Sequence, residues 1–538
     1  MGKFLIFGIF FLFFSVSTAR PHNENGHGNK FLSCFALNSP VPITNISSII
    51  HNTSDPSYPS ILQSSIQNLR FNSTTILKPC FIITPEHFSH VQAAVNCSKI
   101  HGLEVRVRSG GHDYEGLSYT ARNPFVIIDL VNLRQVRIDL ENGTAWVQTG
   151  ATLGEVYYKI GNASNTYGFP AGTCPTLGVG GHISGGGQGF LMRKYGLAAD
   201  NVLDAVIVNA RGEILSRSSM GEDLFWAIRG GGAASFGVVV EWKIKLVPVP
   251  PRVTGFIVSK TLDQGATKLL HRWQQIADKF VEDLFIRPII IVTKGGNNST
   301  RNILVKFQSL FLGSLDQLLP LMERSFPELG LEAKDCREMR WVESILYIDD
   351  GFPSGESLEI LLDRKHNMNK GFFKAKSDFV TKPISENDLE NIWKVMEEGE
   401  SGIMIWEAYG GKMGYISETE TPFPHRGGVL FNIQYYNGWA QPGNDTETKR
   451  LDWINKVYDS MAPFVTKNPR TAYLNYRDLD LGRNKVGTFS EAKVWGEKYF
   501  KSNFYRLARV KGEVDPENFF KNEQSIIARR IPVNTKSN

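Results

Sequence analysis

The chain has 538 residues, 42% of them hydrophobic and 21% charged, which is enough for two or three domains around large cores. Its formal net charge of +5, spread without a long basic run, argues against nucleic acid as the main partner. After the N-terminal leader no apolar run approaches the roughly twenty residues of a membrane span, so no transmembrane segment is expected.

In chain order, Lys3 precedes an apolar run from Phe4 to Phe14 and then Ser17-Thr-Ala19, the pattern of a secretory signal peptide. Ile6 stands where a myristoylation signal needs Ser or Thr. Sequons at Asn45, Asn52, Asn72, Asn96, Asn142, Asn162, Asn297, Asn298 and Asn444 agree with a secreted, glycosylated protein. Five cysteines, Cys34, Cys80, Cys97, Cys174 and Cys336, leave at least one unpaired or otherwise engaged. Residues 20–30 are polar and read as a disordered lead-in, followed by a helical region ending near Leu69.

Phe81-Ile-Ile-Thr-Pro, Val105-Arg-Val-Arg and Phe125 to Leu130 read as strands with a helix between the first two, hence an α/β beginning. A strand at Thr144 to Gly150, a helix at Leu153 to Ile160, a hairpin from Val202 through Gly212, a short helix at Asp223 to Arg229 and a strand from Phe236 to Val247 follow. Pro248, Pro250 and Pro251 close this part. From Thr254 longer helices alternate with strands: Ala266, Leu269, Leu270, Trp273, Ile276, Ala277 and Phe280 fall on one helical face, which reads as core packing. Ser385 with Asp388 forms a capping box, Gly427 to Trp439 is a strand, and a last helix runs from Trp495 to Arg509. No internal repeat and no metal-ligand cluster stands out.

Residues 171–200 interrupt this pattern, with seven glycines between Gly178 and Gly189 near Cys174 and His182. Arg108-Ser109-Gly110-Gly111-His112, continuing to Gly116, has the same character. Glycine this dense suits a backbone that takes positive φ or lies flat against a ligand, and its N–H groups suit a pyrophosphate. Plain turns are the alternative, but two such loops, each with a nucleophilic side chain, favour a nucleotide cofactor. The Rossmann fingerprint fails, because Ile183, Phe190 or Ser235 occupies the third glycine position.

With Tyr195-Gly-Leu-Ala-Ala-Asp-Asn201, Asp223 to Gly232, Pro422-Phe-Pro-His425 and Leu474 to Gly482, these loops resemble the plant berberine bridge enzyme-like flavoproteins, and most of all the cannabinoid synthases and monolignol oxidoreductases among them. The resemblance spans nearly the whole mature chain. It implies an α+β fold: a two-part FAD-binding domain of the vanillyl-alcohol oxidase type, and a substrate domain with an antiparallel sheet covered by helices. The expected division is 1–19 signal peptide, 20–74 N-terminal segment of the flavin domain, 75–250 FAD-binding domain, 251–475 substrate domain, and 476–538 returning to the flavin domain.

The resemblance further implies FAD bound covalently through His112 and Cys174, cradled by Arg108, Ser109, Gly110, Gly111, Gly178, Gly180, Gly181, His182, Ser184, Gly185 and Gly187, with Asn518 close to the ring. It also pairs Cys34 with Cys97, whereas Cys80 departs from the family pattern and is expected to be a buried thiol rather than part of a second bridge. His182 is expected to pack against the cofactor rather than act in catalysis. Tyr476 matches a tyrosine held to be the base. A free phenol has a pKa of about 10, so it needs a cationic neighbour or a hydrogen bond to ionise. Arg287 is the candidate neighbour, its alternative being a surface arginine at a strand end. Gln434 stands where reticuline-oxidising members carry a catalytic glutamate, Asn432 where monolignol-type members carry lysine, and Gln188 where they carry tyrosine. Leu177 implies slow reaction of the reduced flavin with oxygen.

The function expected is oxidation of a phenolic or prenylated aromatic plant metabolite by hydride removal, with oxidative cyclisation as a further possibility. A monolignol or carbohydrate oxidase is one alternative, and a non-redox cyclase with FAD as a structural wall is another. The protein is expected to be a monomer in the secretory pathway, extracellular space, cell wall or vacuole.

Overall fold

The structure, a computed structural model, describes residues 24–39, 48–294, 301–348, 357–365 and 370–529. The expected signal peptide and the sequons at Asn45, Asn297 and Asn298 lie outside the described residues. Among the described residues no helix is long and apolar enough to cross a membrane.

Three main sheets build an α+β architecture. In the first, Phe81–Ile83, Phe125–Asp129 and Glu104–Arg108 are parallel, with Ile50–Asn52 antiparallel at the edge. All five residues of Phe125–Asp129 are buried, as a central parallel strand covered on both faces requires. The second sheet is five-stranded and antiparallel, in the order Val136–Asp139, Thr144–Gln148, Val238–Lys245, Val202–Val208, Ile214–Leu215.

The third sheet has seven antiparallel strands: Cys336–Met339, Val253–Thr261, Arg301–Phe311, Leu284–Lys294, Ile403–Ala408, Phe431–Trp439 and Phe372–Val380. Strand side chains alternate between faces. One face carries Trp406, stacked on Phe431 with ring centroids 4.5 Å apart, and Trp273 of the helix Ala266–Ile276 packs against both. The helices Glu386–Glu397 and Asn444–Ser460 extend this cover. The opposite face presents Arg287, Ile405, Glu407 and Gln434 to a cavity.

Four local expectations are revised. The polar lead-in is helical from Glu24, in a helix Glu24–Asn38 held down by Phe31, Phe35 and the Cys34–Cys97 disulfide. The region ending near Leu69 is two short pieces, Tyr58–Ser64 and Leu69–Phe71. The last helix is two, Phe489–Phe500 and Asn503–Val514, because Lys501 takes φ +46°. Ser385 caps the Asp388 N–H, but the Asp388 carboxylate bonds the Ser385 hydroxyl instead of reaching back to its backbone, its side chain being one methylene short of glutamate.

After these helices the chain returns to the first half of the fold. Arg506 and Arg509 bind Asp223, and Phe520 packs into the core beneath the first sheet.

Candidate active site

A cavity of about 420 Å³ lies between the two glycine-rich loops and the seven-stranded sheet. Its first wall is made largely of backbone. Gly110 and Gly178 approach so closely that a Cβ on either would overlap the other's backbone nitrogen. Ser109 donates its hydroxyl to the Thr149 carbonyl, fixing the start of the first loop. Ser109, Gly110, Gly111, Gly178, Gly180, Gly181, His182, Ser184 and Gly185 all line the cavity, as do His112 and Cys174.

Three expected cofactor residues lie elsewhere. The Arg108 guanidinium turns away to Asp129 at 2.6 Å and to the carbonyls of Ile61 and Leu62, because its strand alternation points it into the interior. Gly187 sits behind the wall, its N–H donating to the Tyr473 hydroxyl at 2.9 Å. Asn518 is not part of the lining; Lys521, Asn522 and Gln524 of the same tail are.

His112 is enclosed, and burial pushes it down to about 4, so its imidazole is neutral with lone-pair character. Its Nε2 is buried without a hydrogen-bond partner. His182 is likewise held near 4 by burial, and its Nε2 accepts the Gly172 N–H at 3.0 Å, which places its proton on Nδ1. The Cys174 sulfur lies 3.5 Å from the Thr176 hydroxyl. A neutral nucleophilic imidazole, a thiol and two glycine-rich loops that present mainly backbone fit a flavin nucleotide.

The second wall is made of side chains. Gln434 donates from Nε2 to the Tyr114 hydroxyl at 2.6 Å, and the Tyr114 ring lies parallel to that of Tyr476 with centroids 6.0 Å apart. The Tyr476 phenol is held well above its usual range, first by burial and next by the Glu407 carboxylate, with Arg287 opposing. Arg287 therefore reaches the cavity but does not prevail at Tyr476: its guanidinium is committed to Glu407 Oε1 at 3.1 Å and to Gln308 Oε1, and it lies over the Phe190 ring. Gln188 lines the cavity and donates to the Tyr409 hydroxyl at 2.7 Å, whereas Asn432 is buried behind it and donates to the Asp378 carbonyl.

Sequence reasoning missed two features. Glu407 is one; its signal was a carboxylate within Ile403-Met-Ile-Trp-Glu-Ala, where an apolar strand accepts a charge only for a reason. The other is a buried cluster in which Lys374 pairs with Glu115 and Asp478, and Lys376 with Asp478 and Asp480. It ties the loops bearing Tyr114 and Tyr476 to the sheet. No sequence spacing announces it.

A wall fitted to a flavin facing a wall that can hold and move a proton defines the class, that of flavin-dependent oxidoreductases. The FAD binding domain profile matches residues 79–218, and the profile described as berberine and berberine like matches 472–527. The chain is 52% identical to a tetrahydroberberine oxidase of Berberis wilsoniae over 97% of this chain and 98% of that one. It is 53% identical to a monolignol oxidoreductase of Arabidopsis thaliana, over 92% and 93% of the two chains. A solved structure of a grass pollen allergen with glucose dehydrogenase activity shares 46% identity and a TM-score of 0.86, covering 93% of this chain and 99% of that one. The protein belongs to the berberine bridge enzyme-like family of FAD-linked oxidoreductases.

Proposed function

We propose that the enzyme oxidises a phenolic or prenylated aromatic plant metabolite, with FAD attached through His112 and Cys174. The observation that carries this reading is the second wall, where the Tyr114 and Tyr476 rings and Phe190 offer aromatic contact beside polar groups at Gln434 and Glu407. Relatives named for tetrahydroberberine and monolignol oxidation support an aromatic substrate.

FAD, when bound, supplies the oxidant that takes two electrons as a hydride from a substrate carbon. The chain's own residues do the rest. Neutral His112 and the Cys174 thiol anchor the cofactor against the glycine loops. Gln434 fixes the Tyr114 hydroxyl, so one edge of the substrate meets a set donor and acceptor. Tyr476 holds its proton at rest and exchanges it with a substrate hydroxyl as the hydride leaves.

The division into a flavin domain over 75–250 and a substrate domain over 251–475, with the tail returning to the former, belongs to this reading, as does passage through the secretory pathway. The Cys34–Cys97 disulfide supports the latter.

The test is anaerobic mixing of the purified holoenzyme with coniferyl alcohol, a prenylated resorcinol, tetrahydroberberine and a cello-oligosaccharide. Rapid bleaching of the flavin by an aromatic compound is expected. No bleaching, with a cyclised product still formed from a diene and a dienophile, would overturn the redox reading.

A further inference from the structure

Two carboxylates line the cavity among the described residues, Asp113 and Glu407. Asp113 is fully engaged: Oδ1 accepts the N–H groups of Glu115 and Leu117, and Oδ2 accepts Arg477. Glu407 is not. Its Oε1 accepts Arg287, while Oε2 is buried with no hydrogen-bond partner. A buried carboxylate oxygen left unpaired is costly, and such a group either serves chemistry or receives a proton.

We propose that Glu407 is the terminal proton acceptor of the reaction, drawing the substrate's proton through the Tyr476 hydroxyl. This rests on reading the enzyme as a hydride-removing oxidase or dehydrogenase. Gln434, the polar residue beside Tyr114, is an amide and cannot take a proton. Register places Glu407 opposite Asn432 and Gln434 opposite Ile405, so Glu407 and Gln434 are diagonal neighbours on the same face, about 7–8 Å apart between adjacent strands.

The charges around Glu407 agree with the role. Arg287 faces it from the strand Leu284–Lys294, Tyr409 from just beyond its own strand, and Tyr473 and Tyr476 from the loop after Pro469. Burial keeps the three phenols neutral, Tyr473 at about 12, and the Arg287 guanidinium is bonded to Glu407 Oε1 at 3.1 Å. A phenol next to a carboxylate does not ionise alone. It passes its proton on as it receives another.

The step balances. The substrate O–H bond breaks and its proton joins the Tyr476 oxygen, while the former Tyr476 proton passes through one bridging water to Glu407 Oε2, which the Tyr476 hydroxyl does not touch directly. The pair from a C–H bond leaves as hydride to the FAD oxidant, from the carbinol carbon of an alcohol or from a benzylic carbon conjugated with a phenol, and the oxygen's pair becomes the second bond of a carbonyl or of a quinone methide. The substrate loses two electrons, and Glu407 later releases its proton to water.

The test uses Glu407→Gln holoenzyme with whichever hydroxyl-bearing compound of the panel, coniferyl alcohol, the prenylated resorcinol or the cello-oligosaccharide, bleaches the wild type fastest. The expected result is bleaching slowed about 10²–10⁴-fold, with flavin content, visible spectrum and substrate Kd within about threefold of wild type. The acid limb of the rate against pH, where protonated Glu407 can accept nothing, should vanish. The Glu407→Gln, Tyr476→Phe double variant should be no slower than its worse parent, as two members of one relay require. Gln434→Glu added to Glu407→Gln should regain at least tenfold by returning a carboxylate to the diagonal position. If the isosteric variant misfolds, Glu407→Asp should keep the acid limb at a lower rate. An unchanged rate, or a lost rate with the acid limb intact, would overturn the proposal and leave Glu407 as a support for Arg287. If no compound bleaches even the wild type, the oxidoreductase reading itself falls and takes the proposal with it.

Discussion

The two walls of the cavity are built on opposite principles. The wall of Gly110 and Gly178 is backbone against backbone, and its shape leaves no room for a side chain. The wall of Arg287, Glu407 and Gln434 is a pleated sheet face whose side chains project into the cavity. A rigid backbone wall suits a constant ligand such as a cofactor, whereas a sheet face can change its chemistry one residue at a time without changing the fold. Relatives sharing 46–53% identity with this chain bear names as unlike as glucose dehydrogenase and monolignol oxidoreductase, a spread that such a division of labour permits.

The contrast predicts unequal responses to small changes. Gly178→Ala adds one methyl group and should cost everything, since the new Cβ overlaps the Gly110 nitrogen and the Ser109 hydroxyl. Protein purified from this variant should carry no stable flavin absorbance; normal flavin content would show that the first wall yields and would break the comparison. Tyr476→Phe removes one oxygen from the second wall. It should leave flavin content intact and slow anaerobic bleaching by about 10²–10⁴-fold. A non-redox cyclase would lose little on the same change.

What the sequence made legible follows the same line. Glycine density is a local property, so the two loops and their His112 and Cys174 stood out before any fold was known. Hydrophobic alternation likewise exposed most strands of the first two sheets, because it too is written within a few residues, whereas of the seven-stranded sheet only the strand ending at Trp439 stood out. The second wall depends on strand register: Glu407 acquires meaning only once Ile403–Ala408 lies between the strands bearing Arg287 and Gln434. Arg108 fails for a related reason. It belongs to the loop motif in sequence, yet its place in the strand Glu104–Arg108 turns it to Asp129.

Lys374 tests whether the walls are mechanically joined. It pairs with Glu115, two residues after Asp113 in the first loop, and with Asp478, two residues after Tyr476, and all three side chains are buried. Burial draws the lysine's proton affinity down, but the carboxylates of Asp478, Glu115 and Asp480 more than reverse this and hold it charged. Lys374→Met strands the buried Glu115 carboxylate and leaves Asp478 with Lys376 alone, and should cost about 3–5 kcal/mol, read as a lower midpoint in chemical denaturation. The walls should also loosen together, with both the flavin spectrum and the Tyr476-dependent rate disturbed. A stability loss without any change at the flavin would mean that the cluster serves the sheet alone.

The smallest change sharpens the comparison most, because it lies on the cofactor wall and yet acts through a side chain. Leu177 lines the cavity three residues after Cys174, its N–H donating to the Cys174 carbonyl and its own carbonyl accepting the Leu153 N–H. Its backbone is thus fixed, and only the branched side chain is free to govern what small molecule approaches the cofactor. Leu177→Val deletes one methylene on a half-buried group, a change of no more than about 1 kcal/mol in stability. It should leave the rate of anaerobic bleaching within twofold while speeding the return of flavin colour on admission of oxygen, measured by stopped flow. If bleaching slows and recolouring does not quicken, Leu177 shapes the substrate site instead, and the cofactor wall is not purely a backbone device.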